Sequence, residues 1–151
     1  MSAIASLTVV GRDRVPELAR LARTSRSSLH SYLDEHGCEA RQEYGWSGYC
    51  MLYVLTYLDE RGVDLQQSEF DAESDAITSA LGFTVLITPG HRPLLDQLDP
   101  AAHRAEELAA HFAEMGMDFE ESGVAGLEAV TLLRDSISEL RDDQVLLLHL
   151  G

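Results

Sequence analysis

The chain has 151 residues and a formal net charge of -15, because 26 acidic side chains face 11 basic ones. This length suits a single domain with one sizeable core. The charge opposes binding to nucleic acids and to anionic membrane surfaces. It is also uneven, since residues 1–30 carry five Arg and two acids whereas residues 31–151 carry six Arg and 24 acids. A basic partner is therefore expected to meet the second part of the chain.

Cysteine usage and hydropathy indicate a cytoplasmic protein. Cys38 and Cys50 match neither a secreted disulfide framework nor paired zinc ligands, so we expect reduced thiols. The first ten residues lack a basic leader and alternate apolar with small polar side chains, which is typical of a strand rather than of a signal peptide. The longest apolar run in the middle of the chain, residues 49–58, is too short to span a bilayer.

A strand and an amphipathic helix are predicted first along the chain. Residues 4–10 are rich in β-branched side chains, which predicts the strand. Pro16 suits the first turn of the helix, and Asp13 is predicted to cap it. The apolar stripe of this helix either continues to Glu35 or breaks near Ser25.

The middle of the chain predicts two further helices and a short strand. Residues 47–61 form the most apolar segment with helical features and are predicted to be the central buried helix. Residues 68–81 predict an acidic helix, and residues 83–88 predict a strand that ends in a Pro-Gly turn. Residues 93–98 predict a single helical turn.

The last third predicts two helices and a final strand. Asp99 followed by Pro100 is a strong start signal for a helix that runs to Gly116, and a second apolar-periodic helix follows. Residues 145–150 are apolar on both faces of the predicted strand apart from His149, which predicts a strand in the interior of its sheet. The whole pattern predicts one α+β domain over residues 1–151, with a sheet of three or more strands covered by about five helices. The first and last strands can be neighbours in that sheet.

An aromatic stripe on the central helix is a candidate ligand or partner site. Its members recur at spacings of three, four and four: Trp46, Tyr49, Tyr53 and Tyr57. Trp and Tyr are enriched at binding sites, so the stripe can form an aromatic-walled cleft or a docking ridge. We favour core packing with the phenol oxygens at the edge, because this helix has to be buried.

The segment TPGHR after the second predicted strand is a further candidate site, with Thr88, His91 and Arg92 as its polar residues. It is a locally basic turn within a very acidic region. An Arg beside a His can hold a small anion, and loops at strand ends often carry binding sites. A turn that caps the next helical piece accounts for the same residues without a ligand.

His103, Glu107 and His111 follow one another at i, i+4 spacing on a predicted helix. Two imidazoles and a carboxylate on one helix face can hold zinc. The helical wheel, however, places them opposite Ala105 and Phe112, on the face exposed to solvent. We therefore expect ordinary surface pairs there, with no bound metal and no other cofactor.

Three segments resemble a known family. They are the opening SAIASLTVV followed by an amphipathic helix, the Trp-led GWSGYCMLYVL, and a final helix followed by QVLLLHLG. Together they resemble the YfbM-like family of small bacterial domains of unknown function. The resemblance covers both ends of the chain and one central helix. It implies a mixed α and β fold and brings no catalytic residues.

Two functions follow from these observations. We favour a non-enzymatic interaction or regulatory domain, such as a regulator or an immunity-type inhibitor, which binds a basic protein through its acidic surface. That surface includes two acidic clusters: Glu69, Asp71, Glu73 and Asp75, and Asp118, Glu120 and Glu121. The alternative is a small-molecule-binding protein or enzyme that uses the TPGHR turn, the Tyr stripe or the His-bearing helix. The absence of a recognisable catalytic motif favours the first function.

Overall fold

An antiparallel sheet of four strands forms the middle layer of the computed structural model, which describes residues 3–39 and 43–151. The strands are β1 (Ala5–Gly11), β2 (Cys38–Glu39), β3 (Thr84–Ile87) and β4 (Gln144–Leu150). Their order in the sheet is β2, β1, β4, β3. The first and last long strands pair along their full length, from Ala5 opposite Leu150 to Gly11 opposite Gln144. The prediction of an interior final strand is confirmed, because β4 lies between β1 and β3.

Six α-helices cover the sheet within the described residues, together with short 3-10 segments at Arg12–Arg14, Pro89–Leu98 and Pro100–Ala102. The helices are α1 (Val15–Thr24), α2 (Arg26–His36), α3 (Gly48–Glu60), α4 (Asp71–Leu81), α5 (Ala105–Glu114) and α6 (Ser122–Glu139). The predicted α+β class, with a small sheet covered by helices, is confirmed. No helix in residues 3–39 and 43–151 combines the length and apolar character needed to cross a membrane.

The two faces of the sheet carry two separate groups of helices, because successive strand residues point to opposite faces. One face packs against α1, α2 and α4 through Val10, Leu86, Val145 and Leu147. The other face packs against α3, α5 and α6 through Leu7, Ile87, Leu146 and Leu148. Both helix layers therefore depend on the same sheet, and the chain forms a single compact domain.

The first predicted helix is divided at Ser25, one of the two outcomes that the sequence left open. Ser25 has an extended backbone, and its hydroxyl accepts the N–H of Ser28 at 3.3 Å to cap α2. Pro16 lies in the first turn of α1 as predicted. The prediction that Asp13 caps this helix is wrong. A 3-10 turn runs directly into α1, so that the N–H of Val15 bonds to the Arg12 carbonyl and Asp13 lies within the turn.

The central helix α3 has the predicted ends and the predicted burial. The Ser47 hydroxyl accepts the N–H of Tyr49 at 3.2 Å, and the helix stops before Gly62, whose φ of 80° favours glycine. Its apolar side chains are buried against the sheet and the neighbouring helices and form the centre of the larger core. They are Met51, Val54, Leu55 and Leu58.

The predicted helix after Asp99 begins later than the sequence indicates. The Asp99 carboxylate accepts the N–H of Ala101 at 2.9 Å, but this cap starts only a short 3-10 turn. The backbone is extended at His103, and α5 begins at Ala105. Ala101 is exposed in the 3-10 turn, and Met115, the first residue after α5, is exposed as well.

Candidate functional site

The TPGHR turn is held together by its own side chains. The Thr88 hydroxyl accepts the N–H of Gly90 at 3.1 Å and caps the 3-10 segment Pro89–Leu98. His91 is buried, and its Nδ1 accepts the N–H of Thr88 at 3.1 Å. The Nε2 of His91 lies 2.8 Å from the carbonyl oxygen of Gln67, so a neutral imidazole with its proton on Nε2 satisfies both contacts. Thr88 and His91 therefore have a structural role in the turn.

Arg92 connects the same turn to the end of α6. Its guanidinium forms an ion pair with Asp142, with an N–O distance of 2.6 Å, and also donates to the carbonyl oxygen of Leu140. Both contacts use the planar donor fork of the side chain. The basic character of TPGHR is thus partly neutralised within the domain. Binding of an external ligand by this turn stays a prediction.

The members of the aromatic stripe differ in burial: Tyr57 is buried, Trp46 and Tyr53 are partly buried, and Tyr49 is exposed. Tyr57 is fully buried, and its hydroxyl lies 3.0 Å from Nδ1 of His103. Tyr53 is partly buried and packs edge-on against Phe112, with ring centroids 6.1 Å apart. These two residues have the core packing that we favoured. Tyr49, by contrast, is 41% exposed at the start of α3.

Trp46, which precedes α3, contacts α6 and the segment between α5 and α6. Its indole N–H donates to the Glu128 carboxylate at 2.6 Å, and its ring lies 5.9 Å from that of Phe119. One turn along α3, the sulfur atoms of Cys50 and Met117 are 3.6 Å apart. The start of α3 therefore lies against α6 and against the segment that connects α5 to α6.

That connecting segment carries the acidic cluster of Asp118, Glu120 and Glu121, all of which are exposed. Within the described part of the chain, no basic side chain forms an ion pair with any of the three. We call the combined region the acidic aromatic surface. It consists of Trp46, Tyr49, Asp118, Phe119, Glu120, Glu121 and Glu128.

The other acidic cluster, at the start of α4, is partly used by the fold. Glu69 forms an ion pair with Arg12. The Asp71 carboxylate accepts the N–H of Ser68 at 2.8 Å and, with Glu73, lies in the first turn of α4, where negative charge is favourable. These acids have local structural roles, which distinguishes them from the cluster in the acidic aromatic surface.

The prediction that His103, Glu107 and His111 lie on a solvated face is wrong for His111, which is only 5% exposed. Its Nε2 lies 2.8 Å from the Thr56 hydroxyl, and its Nδ1 lies 3.6 Å from a carboxylate oxygen of Glu60. The wheel alone does not show that α3 packs beside α5 and covers this side. His103 is partly buried, and Glu107 remains exposed.

The three residues are arranged around the Tyr57 ring: His103 and His111 contact it directly, and Glu107 reaches it through Arg61. Glu107 pairs with Arg61 at 3.4 Å, and the Arg61 guanidinium lies 3.7 Å from the centroid of the Tyr57 ring. The ring centroids of His103 and His111 lie 5.5 and 5.8 Å from the centroid of the Tyr57 ring, and both pairs are T-shaped. Burial raises the pKa of the Tyr57 hydroxyl, which keeps it protonated. In the described residues, no group of three or more His, Cys, Asp or Glu is arranged to hold a metal ion.

The two cysteines are free thiols in different environments. Cys38 is exposed in β2, whereas Cys50 is 1% exposed in α3. Burial raises the pKa of the Cys50 thiol, which disfavours the nucleophilic thiolate. Burial also raises the pKa of the Tyr44 hydroxyl far above its ordinary value, and this hydroxyl donates to the Ala125 carbonyl at 2.7 Å. Neither Cys50 nor Tyr44 is therefore prepared for catalysis.

Sequence reasoning missed Phe119 and Glu128 as parts of the site. Each contacts Trp46 across more than 70 positions of the chain, and no local spacing signals such a contact. Comparison of the chain with protein-family models, curated proteins and solved structures gives no match. The resemblance to the YfbM-like family consequently stays a prediction.

Proposed function

We propose that this domain is a non-enzymatic interaction or regulatory protein that binds a basic protein partner at the acidic aromatic surface. The observation that carries the proposal is the position of the accessible aromatic residues. The Trp46 ring lies against Phe119, in a segment with three exposed carboxylates that have no basic partner in the described residues, and Tyr49 is exposed three positions after Trp46. Aromatic rings next to carboxylates suit an Arg side chain, since a guanidinium stacks on an aromatic face and pairs with carboxylates.

The charge of the whole chain supports the same partner class. A net charge of -15 attracts a basic protein over a distance of about a Debye length, roughly 8 Å at physiological ionic strength. Such steering raises the association rate more than it raises the affinity. The aromatic residues then provide the short-range contacts, because buried Trp, Tyr and Arg contribute most to protein interfaces.

The alternative function, small-molecule binding or catalysis at the TPGHR turn and the Tyr stripe, has less support. Thr88, His91 and Arg92 all use their polar atoms within the domain. The inner residues of the stripe, Tyr53 and Tyr57, pack under α5. A ligand at either place would have to displace contacts that stabilise the fold.

Charge reversal tests the proposal. The surface variant carries Asp118→Arg, Glu120→Arg and Glu121→Arg. A control variant with the same change in charge carries Asp34→Arg, Asp59→Arg and Asp75→Arg, three exposed acids without an ion pair among the described residues. Native protein, surface variant and control are immobilised and exposed to extract of the source cell at low salt, and the retained proteins are identified.

The proposal predicts a basic protein that the native chain and the control retain and that the surface variant loses. Retention of the same proteins by all three, or loss from both variants alike, would contradict it. The second outcome indicates a general effect of net charge. Retention of no specific protein by the native chain would also contradict the proposal and would favour the small-molecule function.

A further inference from the structure

A cleft of about 450 Å³ lies between β1, β2 and the C-terminal end of α6. It shares no residue with the acidic aromatic surface or with the TPGHR turn. Val9 and Leu140 give it an apolar wall, and Ser136, from the last turns of α6, lines it as well. The volume is within the range of small-molecule sites, which is about 300–1,000 Å³.

Ser136 is the first polar residue available to a ligand in the cleft. The residue is 9% exposed, yet its hydroxyl forms no hydrogen bond with any residue that the structure describes. Ser and Thr in helices ordinarily bond to a carbonyl of the preceding turn. Thr131 does so with Leu127 at 2.8 Å, and Ser138 does so with Asp135 at 2.9 Å. Ser136 lines the cleft. Among the described residues no side-chain oxygen or nitrogen is both fully buried and without a partner, so this hydroxyl reaches solvent, and a polar ligand atom can replace the water there.

The charged lining is the second feature available to a ligand. Residues of both charges line the cleft, namely Glu39, Glu139 and Arg141. Gln144 lines the cleft too, and its side-chain oxygen accepts the backbone N–H of Arg141 at 2.9 Å, so its amide NH₂ group is available as a donor. Acceptors for an ammonium group and donors for a carboxylate thus line the same space.

We propose that this cleft binds a small zwitterionic α-amino acid with an apolar side chain. The ammonium group pairs with Glu39 and Glu139, and the carboxylate pairs with Arg141. The apolar side chain covers Val9 and Leu140, and the Ser136 hydroxyl bonds to a polar atom of the ligand. The site goes beyond the proposed protein interaction and does not depend on it.

Cys38 provides a direct readout, because it lines the cleft and is exposed whereas Cys50 is buried. The rate of alkylation of Cys38 by iodoacetamide is measured by mass spectrometry. The probes are L-leucine, isopentylamine, which lacks the carboxylate, and 4-methylpentanoate, which lacks the ammonium group. A ligand that shields Cys38 slows its alkylation about tenfold at ten times the dissociation constant. We expect this protection from leucine and much weaker protection from either half-molecule.

Variants connect the protection to the cleft. Arg141→Ala and Glu139→Gln should each raise the leucine concentration for half-maximal protection about tenfold or more, since each leaves one ligand charge unpaired. Arg23→Ala, an exposed change on α1, should leave it unaltered, and thermal melting verifies that all variants are folded. Absence of protection by leucine would overturn the proposal. Equal protection by isopentylamine, or protection that survives both cleft variants, would do the same.

Discussion

Tyr44 contributes a single buried hydrogen bond whose value can be measured. Its hydroxyl donates to the Ala125 carbonyl of α6 at 2.7 Å, and the residue is 7% exposed. Tyr44→Phe removes the donor and leaves this contact unmade, so the free energy of unfolding should fall by about 1–2 kcal/mol. Tyr49→Phe is the matched control, because that hydroxyl is exposed and bonds to no described residue. Urea unfolding of both variants tests this, and equal stabilities would contradict it.

The same residue should make the domain sensitive to alkali. Burial raises the pKa of the folded Tyr44 hydroxyl, whereas the unfolded chain ionises near the ordinary Tyr value of about 10. Above this pH the unfolded state binds fewer protons than the folded state, so the free energy of unfolding falls as the pH rises. Below pH 10 both states keep the proton, and Tyr44 adds no pH dependence.

The measurement is urea unfolding between pH 8 and about 11, within the window set by the Tyr pKa. Tyr44→Phe should lose stability less steeply above pH 10 than the native chain, and Tyr49→Phe should follow the native chain. Parallel curves for the native chain and Tyr44→Phe would show that Tyr44 ionises as easily in the folded state.

At the scale of elements, the contact between α5 and α6 depends on glycine. A Cβ atom at Gly123 would lie 2.5 Å from the backbone oxygen of Ala105, and one at Gly126 would lie 3.0 Å from Cβ of Leu108. The first contact is with backbone, which cannot move aside as a flexible side chain can. The two helices approach this closely only because both positions lack a side chain.

Gly123→Ala should therefore reduce the free energy of unfolding by about 1–3 kcal/mol, as overpacked cores do. In an exposed helix interior, the same change would stabilise by roughly 1 kcal/mol. Val124→Ala is a neighbouring control, since Val124 is 49% exposed, and it should stay within about 0.5 kcal/mol of the native chain. Chemical unfolding distinguishes the two cases, and a Gly123→Ala variant as stable as the native chain would refute the close contact.

The elements with strong local signals were predictable from the sequence. Ser47 and Gly62 correctly predict where α3 begins and ends. The apolar residues of 145–150 correctly predict an interior strand. The start of α5 was not predictable, because Asp99 caps a short 3-10 turn with the same side-chain bond that begins a longer helix. β2 was missed as well, since two exposed residues have no periodicity.

The candidate site was predictable only in its local parts. Thr88 and His91 lie three positions apart, and the capping interpretation of their turn needs only local contacts. The burial of His111 depends on how α3 packs beside α5, and the contact of Trp46 with Glu128 joins positions 82 apart. Packing of this kind depends on the whole fold rather than on spacing along one helix.

At the scale of the whole molecule, like charges oppose the compact state. Beyond residue 30, 24 acids face six Arg. Screening should relieve this self-repulsion, so the melting temperature should rise when salt is increased from low to moderate concentration. A rise of about 2–5 °C, equivalent to roughly 1 kcal/mol, is expected in a calorimetric scan. A melting temperature that falls over the same range would show that attractive ion pairs dominate instead.

The same screening should weaken a complex with a basic partner, so stability and binding should change in opposite directions as salt increases. A surface that serves only solubility has no binding to lose. The affinity of the captured partner, measured over the same salt series, therefore separates a docking surface from general solubility.

Amide hydrogen exchange of the complex locates the partner most directly. We expect slowed exchange at residues 46–50 and 117–122 when the partner is bound, with exchange in α4 and in the TPGHR turn unchanged. The variant with Asp118→Arg, Glu120→Arg and Glu121→Arg should show no such protection when it is mixed with the partner. Protection confined to α4 or to the TPGHR turn, with residues 46–50 and 117–122 exchanging as in the free protein, would contradict the assignment of the acidic aromatic surface as the binding site.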